Sequence, residues 1–238
     1  MEKIKKSKNA IILCSGGLDS VVTAHYIKKK RGYDKLKFLF FDYGQRALNQ
    51  ERKCSKECAK DLKGEFIEIN LKWLGDISNS LINKEGIIKR LKKRDLKNTR
   101  KESEKYYVPC RNTIFLTYAL VIAESLWIKN KEKNNIFVGF KCEGKESYPD
   151  TTERFVNEIN KLSKIGCSTK FEIKAPLIKK DKEDIVNLGK KLGVKIEYTF
   201  SCYSPLNKKQ CGYCLACMLR KQGFYWANVK DKTAYAKK

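Results

Sequence analysis

Apolar and polar residues fall along this chain in blocks that alternate between two periods. Residues 10–14 (Ala-Ile-Ile-Leu-Cys) are a short unbroken apolar run, the pattern of a buried strand. Residues 20–30 read as a helix, and residues 36–41 as a second apolar strand. A helix over 49–62 carries Cys54, Cys58 and Leu62 on one face at four-residue spacing. Gly64 stops it, and residues 65–69 form a third strand. This β-α-β-α-β order predicts an α/β fold, a parallel sheet with helices on both faces. In such a sheet the ligand sits at the carboxyl ends of the strands, where the first loop lies. Residues 84–105 break the pattern with a run dominated by Lys and Arg. They are expected to be a solvated or mobile insertion, either a lid or a surface loop without a role.

Order returns at Tyr107-Val108-Pro109-Cys110-Arg111-Asn112. Pro109 cannot lie inside a helix, and Asn112 or Thr113 is the expected cap of an apolar helix over 114–128. A fourth strand follows at 135–140, a loop at 143–150 and an amphipathic helix at 151–162. A fifth strand at 171–175 is ended by Pro176. The last helix of this part runs over 181–192, with Asp181 as cap and Gly193 as stop. The expected division is an α/β domain over 1–198 and a small cysteine-bearing element over 199–238.

The first strand runs straight into Ser15-Gly16-Gly17-Leu18-Asp19-Ser20. Two glycines allow a tight turn and bring backbone N–H groups close to a ligand. The following helix aims its positive dipole end and unpaired N–H donors at the same place. This is a phosphate cradle without the Gly-Lys-Ser/Thr ending of a Walker loop or the Gly-x-Gly-x-x-Gly of a dinucleotide fold. It resembles the loop of the PP-loop ATP pyrophosphatases, which cut ATP between the α- and β-phosphates and transfer AMP to a substrate oxygen.

Composition changes this picture in two ways. The chain has 238 residues, with 52 Lys and Arg against 27 Asp and Glu, a formal net charge of +25. Only nine of the basic residues are Arg, whereas specific nucleic-acid sites favour its planar fork. The excess is therefore read as attraction for anions such as ATP, with nucleic acid disfavoured as the partner. No apolar run approaches the ~18 residues of a membrane span, and no signal-peptide pattern is seen, so the expected location is the cytoplasm.

The second change concerns sulfur. Four of the ten cysteines, Cys202, Cys211, Cys214 and Cys217, follow C-x8-C-x2-C-x2-C. In a reducing compartment this spacing points to a closed, structural Zn²⁺ site rather than to disulfides. An iron–sulfur cluster fits less well, because the spacing departs from the ferredoxin patterns. Lone His25, along the helix after the loop, is expected to pack rather than to catalyse.

Taken in order, these segments resemble the 7-cyano-7-deazaguanine synthase (QueC) family over nearly the whole chain. The likeness rests on the Ser-Gly-Gly-Leu-Asp-Ser loop, Tyr43-Gly44-Gln45-Arg46, residues 107–116, Tyr148-Pro149-Asp150, Ala175-Pro176-Leu177 with Lys182, residues 199–203, and the terminal cysteines with Arg220. It implies an adenine nucleotide alpha hydrolase-like, PP-loop fold with a C-terminal zinc-binding element, and a homodimer. It also implies ATP-dependent conversion of 7-carboxy-7-deazaguanine and ammonia into the nitrile preQ0. In that reading residues 15–20 hold the departing pyrophosphate, with the Ser15 and Ser20 hydroxyls contributing. Asp19 binds Mg²⁺ or orients the loop, and Arg111 and Lys182 neutralise phosphate charge. Tyr43, Gln45, Arg46, Tyr148 and Asp150 face the deazapurine. Structural alternatives exist for two of these: Asp150 as the cap of the next helix, and Arg46 as the partner of Glu51.

The chain departs from the family pattern at the presumed acceptor pocket. Gly144 stands where the family usually has Asp, Thr151 where Cys is frequent, and Cys110 where Gly or Ala is frequent. Two enzymatic alternatives follow: a QueC-like paralogue adenylating another acceptor, such as a protein or nucleic acid, and a tRNA-modifying PP-loop enzyme. A non-catalytic nucleotide-binding or zinc-ribbon module is the third alternative, outside the enzymes.

Overall fold

In the computed structural model the described residues are 8–141 and 148–237. The departure at Gly144, and most of the loop expected over 143–150, lie outside them. Five parallel strands form the sheet in the order β3-β2-β1-β4-β5. They are β1 (Asn9–Leu13), β2 (Lys35–Asp42), β3 (Glu65–Asn70), β4 (Asn134–Phe137) and β5 (Ile173–Lys174). The helices are α1 (Leu18–Arg31), α2 (Leu48–Asp61), α3 (Lys72–Asp76), α4 (Arg100–Glu104), α5 (Arg111–Asn130), α6 (Glu153–Gly166), α7 (Lys182–Lys191) and α8 (Leu215–Trp226). The sheet grows outward from β1 in both directions. The strand order therefore reverses at β1/β4, and a crevice opens beyond the carboxyl end of β1.

Alternation along β1 sorts the two cores. Ile11 and Leu13 pack with Leu116, Ala119 and Ala123 of α5 and with Ile159 of α6. Ala10, Ile12 and Cys14 pack on the other face with Val22 and Ile27 of α1 and Ile185 and Val186 of α7. Because side chains of a strand point alternately to opposite faces, one apolar run feeds both layers, and this is why β1 carries no polar alternation.

Several boundaries differ from the sequence pattern. β4 stops at Phe137 and β5 keeps only two residues, because β5 is an edge strand that pairs with Ile136 and Phe137 alone. α5 begins at Arg111, before the expected cap, with Cys110 in a left-handed conformation at φ 53°. Asp150 supplies the acceptor there: its Oδ2 takes the Asn112 N–H at 3.1 Å. Thr152 caps α6 instead, accepting the Phe155 N–H at 3.1 Å. Asp181 caps α7 as expected, accepting the Asp184 N–H at 3.0 Å.

The basic insertion is more ordered than its composition implies. A 3-10 turn (Lys93–Lys97) and α4 lie within it. Leu91 is buried and donates its N–H to the Tyr213 carbonyl at 3.2 Å. Glu102 is buried as well and accepts from Lys105 Nζ and the Tyr106 hydroxyl. Scattered apolar residues dock the segment on the cysteine-bearing element while its lysines stay in water. Among the described residues no helix is long and apolar enough to cross a membrane.

Candidate active site

The loop after β1 is held by its own short side chains. The Gly17 N–H donates to Ser15 Oγ at 3.3 Å, and Ser20 Oγ donates to the Gly17 carbonyl at 3.0 Å. Ser15 Oγ and Ser20 Oγ stand 3.3 Å apart. Gly16 adopts φ 77°, and a Cβ there would lie 2.5 Å from the Glu51 carbonyl oxygen and 2.7 Å from Cys54 Cβ. Only glycine fits that conformation and that space. The first intrahelical bond of α1 is from the Val21 N–H to the Gly17 carbonyl. The N–H groups of Leu18, Asp19 and Ser20 therefore have no partner inside the helix and remain available to an anion. Across the crevice Gly139 presses on this turn; a Cβ there would sit 2.9 Å from Ser20 N and Cα.

A cavity of about 480 Å³ opens from the loop. At the end formed by this loop Lys182 Nζ reaches both carboxylate oxygens of Asp19, at 2.8 and 2.7 Å. Lys182 opens α7 and Asp19 lies in the first turn of α1, so two helix N-termini and one lysine converge there. Phosphate oxygens are the ligand chemistry such an arrangement suits.

At the far end the wall is aromatic. Arg111 donates to the Tyr43 hydroxyl at 3.3 Å, and Phe115 packs edge-on against the Tyr43 ring. Burial pushes the Tyr43 phenol up to about 12, so it stays neutral. Tyr148 stacks on Tyr107 and donates its hydroxyl to the Ser103 carbonyl at 2.8 Å. Thr99 and Ser103 of the basic segment, and Tyr106 just after it, also line the cavity.

The sequence-named residues thus separate. Ser15, Gly17, Leu18, Asp19, Ser20, Lys182, Arg111, Tyr43, Gln45 and Tyr148 all line the cavity. The Gln45 amide is nonetheless occupied by the fold, accepting the Tyr43 N–H and donating to the Phe41 carbonyl and Glu51 Oε2. Asp150 and Arg46 do not line the cavity. Asp150 is buried against the start of α5, and Arg46 keeps one buried guanidinium nitrogen without a hydrogen-bond partner among the described residues. His25 is buried with Nε2 3.5 Å from Asp61, a packing position.

One cavity residue carried no chemical signal in the sequence. Glu51 stands in the first turn of α2, where an acidic residue reads as a dipole partner. Burial pushes its carboxyl up to about 7, against the opposing pull of the Gln45 amide and the Arg111 charge.

The four cysteines converge at the base of α8. Their sulfurs lie within 4.8 Å of one another, with Cys211–Cys217 at 3.9 Å and Cys202–Cys214 at 4.0 Å. A tetrahedral ion with thiolates at about 2.3 Å requires sulfurs about 3.8 Å apart, so the donor set fits such a metal. Backbone N–H groups of Cys211 and Cys214 point at the sulfurs of Cys202 and Cys211, at 3.2 and 3.3 Å. All four are buried, which leaves no open coordination position. The element also grips the loop: the Phe200 N–H donates to the Gly16 carbonyl at 2.9 Å. Arg220, fully buried, ties the segment down through Thr199 Oγ1, Ser201 Oγ and the Ile196 carbonyl.

The family described as "Queuosine biosynthesis protein QueC" matches residues 9–228. A 7-cyano-7-deazaguanine synthase of Methanosphaera stadtmanae is 37% identical over 231 residues, covering 96% of this chain and 98% of that one. The synthase of Methanocaldococcus jannaschii is 38% identical over 240 residues, with 95% and 98% covered. That of Campylobacter jejuni is 38% identical over 232 residues, with 96% and 99% covered. Among solved structures, an NMN synthetase from Francisella tularensis aligns at TM-score 0.44 and 14% identity over 94% of this chain and 85% of that one, a likeness too loose to carry an argument.

Proposed function

The chain belongs to the QueC family, and from that premise we propose that it converts 7-carboxy-7-deazaguanine and ammonia to 7-cyano-7-deazaguanine at the expense of ATP. The observation that carries the reading is one cavity with a phosphate cradle at one end and an aromatic wall with Arg111 at the other. A carboxylate is a poor electrophile, because its charge repels nucleophiles and oxide leaves badly. Transfer of AMP to its oxygen supplies a leaving group. Ammonia then displaces AMP to give an amide, and a second AMP transfer to the amide oxygen allows loss of AMP as the nitrile forms.

No side-chain nucleophile is required, so the protein contributes position and charge neutralisation. The N–H groups of residues 18–20 and the Ser15 and Ser20 hydroxyls receive pyrophosphate. Lys182 offsets phosphate charge, while Arg111, at the aromatic end beside Tyr43, faces the acceptor rather than the cradle. Asp19 is the carboxylate that would meet Mg²⁺ brought by ATP, or orient Lys182. Tyr43 and Tyr148 bound the planar deazapurine. Cys202, Cys211, Cys214 and Cys217 would hold Zn²⁺, which supplies a closed structural crosslink and no chemistry to the substrate. Reduced thiolates of this kind belong to the cytoplasm. A homodimer is also proposed; exposed Val121, Ile128, Leu162 and Ile165 on α5 and α6 support it.

The test is mass spectrometry of products from purified protein, Mg-ATP, ammonium and 7-carboxy-7-deazaguanine. The expected products are preQ0, AMP and pyrophosphate. AMP with an adenylate or amide and no nitrile would instead support a paralogue with another acceptor, the reading that the departures at Cys110, Gly144 and Thr151 favour.

A further inference from the structure

The reaction proposed above, on which this inference rests, releases protons from nitrogen. Ammonia loses one as its nitrogen is acylated, and the amide loses two more as it becomes a nitrile. These protons need an acceptor inside the cavity. The lining carboxylates differ in how they are engaged. Asp19 has both oxygens on Lys182. Asp181 caps α7. Glu183 follows Lys182 in the first turn of α7, at the nucleotide end. Glu51 alone stands with Tyr43 and Gln45. Its Oε2 accepts from the Gln45 amide at 3.2 Å, and among the described residues no hydrogen bond is found at its other oxygen. Its own backbone carbonyl abuts Gly16, so the start of α2 that bears it is set against the loop.

We propose that Glu51 is a catalytic residue of this enzyme, the base that takes the protons leaving the substrate nitrogen in both the amide-forming and the nitrile-forming step. In the first step the C–N bond forms and the C–O bond to AMP breaks. AMP leaves with the electron pair, and one nitrogen proton passes to the carboxylate. In the second step the second C–N bond forms as AMP is transferred to the amide oxygen, and the third forms as AMP leaves with the C–O electron pair. The two remaining protons pass in turn to the carboxylate, which returns each to water. The negative carboxylate also favours ammonium at this end of a cavity whose other end is built for anions.

The groups around Glu51 allow this. Burial keeps the Tyr43 phenol neutral, and burial pushes the Cys54 thiol, one turn along α2, up to about 11. Arg111 keeps its charge beside Tyr43. The Asp19–Lys182 pair across the loop is internally balanced. With its carboxyl pushed up to about 7 by burial, Glu51 changes charge where a general base is most effective. Cys14 behind the loop also titrates near there, drawn down to about 7 by the hydrogen bond from Cys58, so the experiment must separate the two.

The experiment compares wild type with Glu51→Gln, Glu51→Asp and Cys14→Ala. Pyrophosphate release is followed without ammonium, and amide and nitrile formation with it, across neutral pH. In wild type the amidation rate per unprotonated ammonia rises with pH and levels off above about 7, as the carboxyl loses its proton. Glu51→Gln keeps pyrophosphate release but loses about 100-fold or more in amidation, and its profile is flat. Glu51→Asp restores part of the rate together with the rising limb, and Cys14→Ala keeps the limb. Amidation by Glu51→Gln at the wild-type rate, survival of its limb, or parallel loss of pyrophosphate release and amidation would overturn the assignment while leaving the synthase reading standing. Wild type that releases pyrophosphate but forms neither amide nor nitrile would overturn both.

Discussion

The two ends of the cavity are built by opposite means. The cradle end is local: Ser15, Gly17 and Ser20 of one six-residue loop hydrogen-bond one another, and one lysine from α7 completes them. The acceptor end is assembled from the end of β2, the start of α5, the basic segment and α2, which meet only in the folded chain. A phosphate needs backbone N–H groups, and any sequence that turns correctly supplies them. A particular flat substrate needs side chains at set distances, and these come from wherever the fold brings them. Of the departures from the family pattern, Cys110 and Thr151 do not line the cavity, and Gly144 lies outside the described residues.

The largest effect should come from breaking what both ends share. The cysteine element donates the Phe200 N–H to the loop and anchors Leu91 of the basic segment through Tyr213. Cys214→Ser is expected to release zinc and cost about 3–5 kcal/mol of stability, read by metal analysis and thermal unfolding. A fully stable, zinc-free variant would sever the claimed link. Asp19→Ala should break the nucleotide end alone. Pyrophosphate release is expected to fall at least about 100-fold while the melting temperature stays near wild type. If acceptor binding, measured by calorimetry, fell equally, the two ends would not be separable.

A smaller effect tests the acceptor end through its scaffold. Asp150→Ala removes the acceptor of the Asn112 N–H and should cost about 1–2 kcal/mol in chemical denaturation. It should also raise the KM for the deazapurine more than that for ATP, because Arg111 lies in the turn Asp150 holds. Equal changes in both constants would blur the comparison. The smallest effect is a gain. Cys110 pays for φ 53° with strain that glycine would not carry. Cys110→Gly should therefore raise stability by up to about 1 kcal/mol in the same assay, and no gain would show that the conformation is not strained.

How much could be read in advance follows the same division. The strand-turn-helix cradle, the parallel sheet and the cysteine spacing are patterns of neighbouring residues, and they stand in the structure nearly where the sequence puts them. The basic segment was misjudged because its lysines outnumber the few residues, Leu91, Glu102 and Tyr106, that bury it. Gln45 looked like a substrate contact because its position between strand and helix says nothing of where its amide will bond. The resemblance assigns Asp150 to the substrate and its position suggests a cap for the following helix, whereas its partner is Asn112 at the start of a helix 38 residues earlier in the chain.

The sequence by itself determined the strand-turn-helix cradle and the clustering of the four cysteines, because backbone conformation and ligand spacing are local and short-range. Only the tertiary structure decided that Glu51 belongs to the site. A glutamate in the first turn of an amphipathic helix is an ordinary surface charge until the packing of α2 against the loop leaves it only partly exposed. Burial, which raises its carboxyl toward neutrality, and the nearness of Gln45 and Arg111, which opposes that rise, are properties of the fold and leave no mark on the residues beside it.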